Sequence, residues 1–198
     1  MHSCTDRFGV ALQDPEAEGG ISRIAVFEDG RRLSNTLISR VESLLPASRW
    51  SMLQGLAVST GPGGYTGTRL SVVLARTLAQ QLKCPLLGMS SFALMAARLH
   101  RTLAEEQRHR PFWITQDLSR RGVVGGCYRM HADQVEEIVV PRLLKQGQTV
   151  SPALDALDDP ETDVERLLEE LHRAHARAAS MPWVSVLPIY PTSPVGTV

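Results

Sequence analysis

The chain opens with alternating apolar and polar positions and then changes period. "RFGVALQD" (7–14) and "ISRIAVFEDG" (21–30) are rich in β-formers, and the Asp/Pro/Glu/Gly stretch 14–20 between them reads as a hairpin loop. Over 33–45, Leu33, Leu37, Val41, Leu44 and Leu45 recur at helical spacing, and Pro46 stops the run. "LQGLAVST" (53–60) predicts a buried strand that runs through a glycine-rich turn into a second helix at 68–82. That helix carries Leu70, Val73, Leu74, Leu78 and Leu82 on one stripe, which we expect to face a sheet. A second row of Ser71, Ala75 and Ala79 is small enough for another helix to approach closely, or is a solvent-facing row of helix formers. A short strand from Cys84 and a third helix capped by Ser90 or Ser91 follow. "PFWITQD", "VVGGCYRM" and "VEEIVV" predict three more strands, 161–178 a charged helix, and 181–198, with four prolines, an extended tail. The order is that of an α/β or α+β protein with an antiparallel opening.

Composition adds constraints. The 198 residues are 43% hydrophobic and 21% charged, enough for one well-buried domain or two small lobes. Lys plus Arg and Asp plus Glu both number 21, so no overall field draws the chain onto nucleic acid, and any RNA contact is local or borrowed from a partner. Cys4, Cys84 and Cys127 are far apart and odd in number, which favours a reducing compartment over a disulfide framework. No apolar run approaches the roughly 18 residues that span a bilayer, and "MHSCTDRFG" has no signal pattern, so we expect a cytoplasmic protein.

The loop Gly61-Pro62-Gly63-Gly64-Tyr65-Thr66-Gly67 is the clearest candidate for chemistry. It departs from a P-loop, since five residues separate Gly61 from Gly67 and Thr68-Arg69 stands where Lys-Ser/Thr is needed to reach phosphates. It departs from the dinucleotide fingerprint at Thr66, where a third glycine is required. A helix N-terminus accepts anions without a named motif, but the reading we favour is a backbone device, with Gly63, Gly64 and Gly67 in conformations closed to other residues. His172 and His175 near Glu169 have the spacing of a weak metal site, on a helix whose Glu and Arg content reads as a solvated face. Neither G-x-S-x-G nor H-E-x-x-H occurs. Among the scattered carboxylates Asp6, Asp117, Asp133, Asp158 and Asp163, Asp117 is best placed for a cleft, ending a strand beside Arg120 and Arg121, although a turn or ion pair is its default role.

"STGPGGYTGTRLSVVLARTLAQQLKCPLLGMSSFALMA" resembles the signature G-x-G-P-G-S/G-F/Y-T-G-x-R-x-G and following segment of the TsaB (YeaZ) family, the non-catalytic partner subunit in making threonylcarbamoyladenosine in tRNA. "HSCTDRFGVALQD", "PFWITQDLSRRGVVGGCY" and "LPIYPTSPV" are similar to the family's opening, its aspartate-turn segment and its close, so the likeness covers most of the chain. In the aspartate-turn segment one residue is inserted and the usual glutamate is missing.

The resemblance implies an α/β fold of the actin/Hsp70/sugar-kinase (ASKHA, ribonuclease H-like) type, with a complete first lobe at 1–110, a reduced second lobe at 111–180 and the tail at 181–198. The fold's first strand is cut short, with Met1 at its end and His2 at the place of its aspartate. Either the start is assigned too far downstream or the strand is lost, and the unpaired backbone a lost core strand would leave favours the first. The family's signature places Gly61, Pro62, Gly63, Gly64, Tyr65, Thr66, Gly67 and Arg69 in the glycine motif, and its helix-bundle pairing places Leu37, Val41, Ser71, Ala75 and Ala79 at a partner interface.

The catalytic paralogue, TsaD, binds metal through H-x-x-x-H, and here Ser91 and Met95 stand at those positions, neither a good substitute for imidazole. The implied function is a non-catalytic scaffold for a TsaD-type transferase acting at position 37 of tRNA. This chain alone would then bind no cofactor, with ATP and metal on partner subunits. The implied partners are the TsaD-type paralogue, a TsaE-type small ATPase, a second copy when alone, and tRNA indirectly. Two alternatives are a stand-alone ATP-binding phosphotransferase, for which "RRGVVGGCY" is the one candidate adenosine loop and reads more simply as a β-bulge, and an inactive protease-like or chaperone protein.

Overall fold

Two short pieces of sheet, each too small to stand alone, are stitched together by the first residues of the chain. The computed structural model describes residues 1–14, 22–119 and 121–192. Strands β1 (Phe8–Gln13) and β2 (Ser22–Phe27) pair antiparallel, with Phe8 opposite Phe27 and Gln13 opposite Ser22. Most of the expected connecting loop lies outside the described residues. Strands β3 (Leu56–Ser59) and β4 (Leu86–Met89) pair parallel. Between the pairs, His2 N donates to Gly9 O and Gly9 N to His2 O, both at 2.8 Å, while Met1 N donates to Ala57 O at 2.9 Å and Ser59 N to Met1 O at 3.0 Å. Met1 and His2 are thus a stub of central strand, giving the order β2-β1-stub-β3-β4. The truncated first strand expected from the sequence takes this form.

These elements belong to a compact unit of Met1–Ser91 with Asp159–Pro188. Helices α1 (Leu33–Leu44) and α2 (Tyr65–Leu82) cover one face, where Phe8 and Val10 of β1 meet Leu33, Leu37 and Leu44 of α1. Helix α4 (Pro160–Ala176) covers the other: a Cβ added to Gly9 would meet Pro160 O and Val164, and one added to Gly55 would meet Leu171. Asp159 caps α4 by accepting from the backbone N of Thr162, and Pro160 occupies the first turn, where its missing N–H costs nothing.

The two rows of α2 are exchanged relative to the sequence expectation. Ser71, Ala75 and Ala79 have no accessible surface, and the two alanines pack with Val58 and Leu86, whereas Val73 is 53% exposed. Leu70 and Leu74 turn sideways onto the cluster around α1. Helix α2 leaves β3 through a tight turn and sets Val72, Ala75 and Ala79 against Val58 and Leu86, so the stripe facing the sheet is made mostly of small side chains.

The sequence division at 110 and 180 is also redrawn. Helix α4 and the tail as far as Pro188 belong to the first unit, because Val164, Leu167 and Leu171 bury their stripe against its sheet and Val186 packs onto Gly88 of β4. Arg76 of α2 holds the tail, donating to Val186 O at 2.8 Å with its guanidinium 5.5 Å from the Trp183 ring centre.

The second unit comprises Phe92–Asp158 with Ile189–Val198. Its sheet runs β7-β6-β5-β8, from β5 (Phe112–Leu118), β6 (Gly122–His131), β7 (Gln134–Leu143) and β8 (Ala153–Asp155), with β5 and β8 parallel and the rest antiparallel. Phe112, Ile114, Val124 and Tyr128 are fully buried in it, and most of helix α3 (Ser91–His100) belongs to the same unit. The "RRGVVGGCY" segment lies largely in β6, whose pairing with β7 shifts register between Gly125 and Tyr128, a bulge rather than a nucleotide loop.

Candidate functional site

The glycine loop is built from β3 outward. Ser59 and Thr60 are buried at the strand's end, and Thr60 N donates to Met89 O at 2.7 Å, tying the loop's root to β4. Gly61 has φ +100°, a conformation that favours glycine, and its peptide bond to Pro62 is cis. Gly63 and Gly67 are needed for a different reason. A Cβ on Gly63 would fall on the Cys4 backbone, 2.6 Å from its Cα, and one on Gly67 would lie 2.6 Å from Ser3 O. Gly64, at φ −56°, has its nearest such neighbour 3.9 Å away. The conformations closed to other residues that the sequence predicts at Gly63, Gly64 and Gly67 are therefore corrected to close approach at Gly63 and Gly67, with positive φ within the loop at Gly61.

What approaches is the strap Ser3-Cys4, which follows the stub of central strand. Gly64 N donates to Cys4 O at 2.8 Å; Ser3 Oγ reaches Gly67 O at 2.8 Å and Ser71 Oγ at 2.7 Å; Cys4 Sγ lies 3.2 Å from Ser59 Oγ. Burial pushes the Cys4 thiol above its ordinary range, more than the Ser59 hydrogen bond lowers it, so it is no thiolate nucleophile. On the far side Ser91 N donates to Gly61 O at 2.7 Å and Ser91 Oγ to Pro62 O at 2.6 Å. At the loop's outer edge Tyr65 and Arg69 are exposed, with Arg69 Nη1 3.4 Å from the Tyr65 hydroxyl, and Thr66 is exposed beside them.

The other sequence candidates separate. Ser91 is engaged by Pro62 and Met95 is 2% exposed within apolar core, so neither faces a metal position. His172 and His175 are exposed on α4, while Glu169 is held by Arg166 at 3.2 Å and Arg173 at 3.6 Å. Among the described residues no three of His, Cys, Asp and Glu stand close enough to hold a metal ion. Asp117 is exposed on β5 opposite Val123, and Arg120 lies outside the described residues. Of the expected interface residues, Leu37 is core, Val41 packs against the same cluster, and Ser71, Ala75 and Ala79 lie beneath α2. The large apolar side chains that α1 and α2 do expose are Ile38 and Val73, together with Tyr65 at the start of α2.

Sequence reasoning missed Asp29, which is 3% exposed and accepts two 2.9 Å bonds from Arg40, whose guanidinium also lies over Phe27. Asp29 lies ahead of the helix that carries Arg40, so no spacing within a helix links the two; the acidic pair Glu28-Asp29 directly before Gly30 was the available signal. Hydrogen bonds from Arg40 are the main cause holding the Asp29 carboxyl below its ordinary value.

No helix among the described residues is long and apolar enough to cross a membrane. The family model described as TsaD, tRNA N6-adenosine threonylcarbamoyltransferase, matches residues 28–171. The tRNA threonylcarbamoyladenosine biosynthesis protein TsaB of Bacillus subtilis is 36% identical over 89 residues, 44% of this chain and 35% of that protein. The TsaB of Buchnera aphidicola is 36% identical over 55 residues, 28% of this chain and 26% of that protein. The matched stretches thus span about a third or less of those relatives' lengths. A solved structure from Pseudomonas aeruginosa, titled an uncharacterized protein with similarity to peptidase YEAZ, superposes with TM-score 0.74 at 23% identity, covering 96% of this chain and 97% of that one. YeaZ from the same organism superposes with TM-score 0.67 at 23% identity, covering 96% of each chain. These superpositions show the fold, and together with the family model the mixed α/β architecture is consistent with an ASKHA-like fold. The chain belongs to the family that the matching model describes and, within it, to the TsaB/YeaZ group.

Proposed function

We propose that this chain is a non-catalytic subunit that binds a TsaD-type paralogue and holds it in a competent state for forming N6-threonylcarbamoyladenosine at position 37 of tRNA. The observation that carries this reading is the strapped glycine loop: the Ser3-Cys4 backbone lies against the glycines and Gly64 N–H is taken by Cys4 O, and the resemblance puts Ser91 and Met95 where the paralogue has its metal ligands. The names of the curated relatives support the pathway. ATP and metal then reside on partner subunits, including a TsaE-type ATPase, and tRNA is met through the complex in the cytoplasm.

The partner surface on this reading is the outer side of α1 and α2, where Ile38 and Val73 are about half exposed. Placing arginine at Val73 sets a charge against an apolar contact while leaving the core beneath α2 intact. Val73→Arg is expected to weaken binding of the purified paralogue at least tenfold by calorimetry, with an unchanged circular dichroism spectrum. Arg173→Ala on α4 is expected to bind normally. Full nucleoside formation by the paralogue without this chain, or ATP turnover by this chain alone, overturns the proposal.

A further inference from the structure

Strand β7 ends the second unit's sheet. It bonds to β6 along one edge, and among the described residues no strand bonds to the other. Glu136, Ile138, Val140 and Arg142 alternate along it and are all exposed, Ile138 at 42% and Val140 at 51%. An open strand edge beside exposed apolar side chains is a template for another strand.

Backbone alternation says which groups face that edge. The two-residue turn Ala132-Asp133 joins β6 to β7, so the closing pair His131 and Gln134 exchanges its hydrogen bonds, as does Arg129 with Glu136; Val135 and Glu137 then turn their N–H and C=O groups outward. At the far end Leu144 N donates to Val123 O at 2.8 Å, which turns Pro141 and Leu143 outward. The two register shifts between these ends each add one residue to β7, so odd-numbered residues face the edge at both. Pro141 is buried and stands where its missing N–H leaves no bond to β6 unmade.

We propose that this edge of β7 pairs with the same edge of a second copy of the chain, antiparallel about a two-fold axis at Val139. That register sets Val135 opposite Leu143 and Glu137 opposite Pro141 of the second copy, so outward groups meet outward groups. It also sets Ile138 opposite Val140 and Glu136 opposite Arg142, two apolar pairs flanked by two ion pairs of opposite charge. Moving the axis to Ile138 sets Glu136 against Val140, and moving it to Val140 sets Ile138 against Arg142, so neither keeps the match. Within its own chain Glu136 lies 2.8 Å from His131 Nε2 and 3.5 Å from Arg129 Nη1, which holds the carboxylate at the strand's surface. The contact is short and lacks one N–H per copy at Pro141, which makes it a weak, concentration-dependent dimer. It lies in the second unit and shares no residue with the outer side of α1 and α2.

The test is sedimentation equilibrium of the full chain from micromolar to millimolar concentration. Glu136→Arg and Arg142→Glu each set like charges at both ends of the pairing and are expected to weaken the dimer at least tenfold, with circular dichroism unchanged because both side chains are exposed. Mixed one to one, the two variants are expected to regain the parent affinity, since one carries arginine at both positions and the other glutamate. The two positions are six residues apart along one strand, roughly 20 Å, so no contact within a chain gives that rescue. A parent chain that stays monomeric throughout overturns the proposal, as does a mixture no tighter than either variant alone. A dimer that ignores both reversals overturns it too, and its loss on Val73→Arg would place the contact on α1 and α2.

Discussion

At the residue scale the loop distinguishes two reasons for glycine that a sequence cannot separate. Gly63 and Gly67 are glycine because the backbone of residues 3 and 4 passes where a side chain would be, and Gly64 is under neither constraint. Gly63→Ala and Gly67→Ala are expected to cost about 1–3 kcal/mol each, as overpacking does, and Gly64→Ala well under about 1 kcal/mol, read from urea midpoints. Equal costs at the three positions would assign the constraint to φ. Asp29 carries a second prediction. Its carboxyl is held below the usual range by Arg40, so its stabilisation is complete above the unfolded-state pKa of 3.8 and is lost as pH falls through that value toward the lower folded one. Asp29→Asn is expected to cost about 1–3 kcal/mol at pH 7 and progressively less below pH 4, by thermal melts across that range.

At the element scale, helix positions were legible and helix faces were not. The period of leucines located α1 and α2 to within three residues, because periodicity records which positions avoid water. It does not record how near the next layer lies. The short connection from β3 brings α2 onto the sheet with Val72, Ala75 and Ala79 beneath it, and Leu70 and Leu74 of the more hydrophobic stripe are turned aside. The same limit hid the strap: the Gly-Pro-Gly-Gly run announced a backbone device, but its partner lies some sixty residues away at Ser3 and Cys4, beyond any local pattern. Asp29 with Arg40 and Arg76 with Val186 are likewise pairs made by tertiary approach. A larger side chain should distinguish the faces of α2. Ala75→Leu is expected to destabilise by about 1–3 kcal/mol through overpacking, and Val73→Ala to stay within about 0.5 kcal/mol. If the order reverses in urea titrations, the leucine stripe is the sheet face after all.

At the scale of the molecule, the first unit's sheet depends on residues 1–4 twice, as the stub that joins β1 to β3 and as the strap that fills the glycine loop. The stub ends in a buried amine, and this gives a pH dependence separate from that of Asp29. The folded pKa of about 5 lies below the ordinary 8.0, so between these values the unfolded chain holds a proton that the folded chain has released. Stability is then full above pH 8 and declines as pH falls toward 5. Met1 as a residue is only half-buried, and the resulting solvent screening leaves an effect on the order of 2–3 kcal/mol. Acetylating the Met1 nitrogen keeps an N–H for Ala57 O and removes the charge. The acetylated and free chains are expected to have similar urea midpoints at pH 8.5, with the free chain clearly the less stable at pH 6. His2, buried 4.0 Å from Asp163 on the α4 face, is common to both chains, so the difference between them isolates the amine. Parallel pH profiles would mean that the amine meets water in the folded state and that the end of the stub is open to solvent.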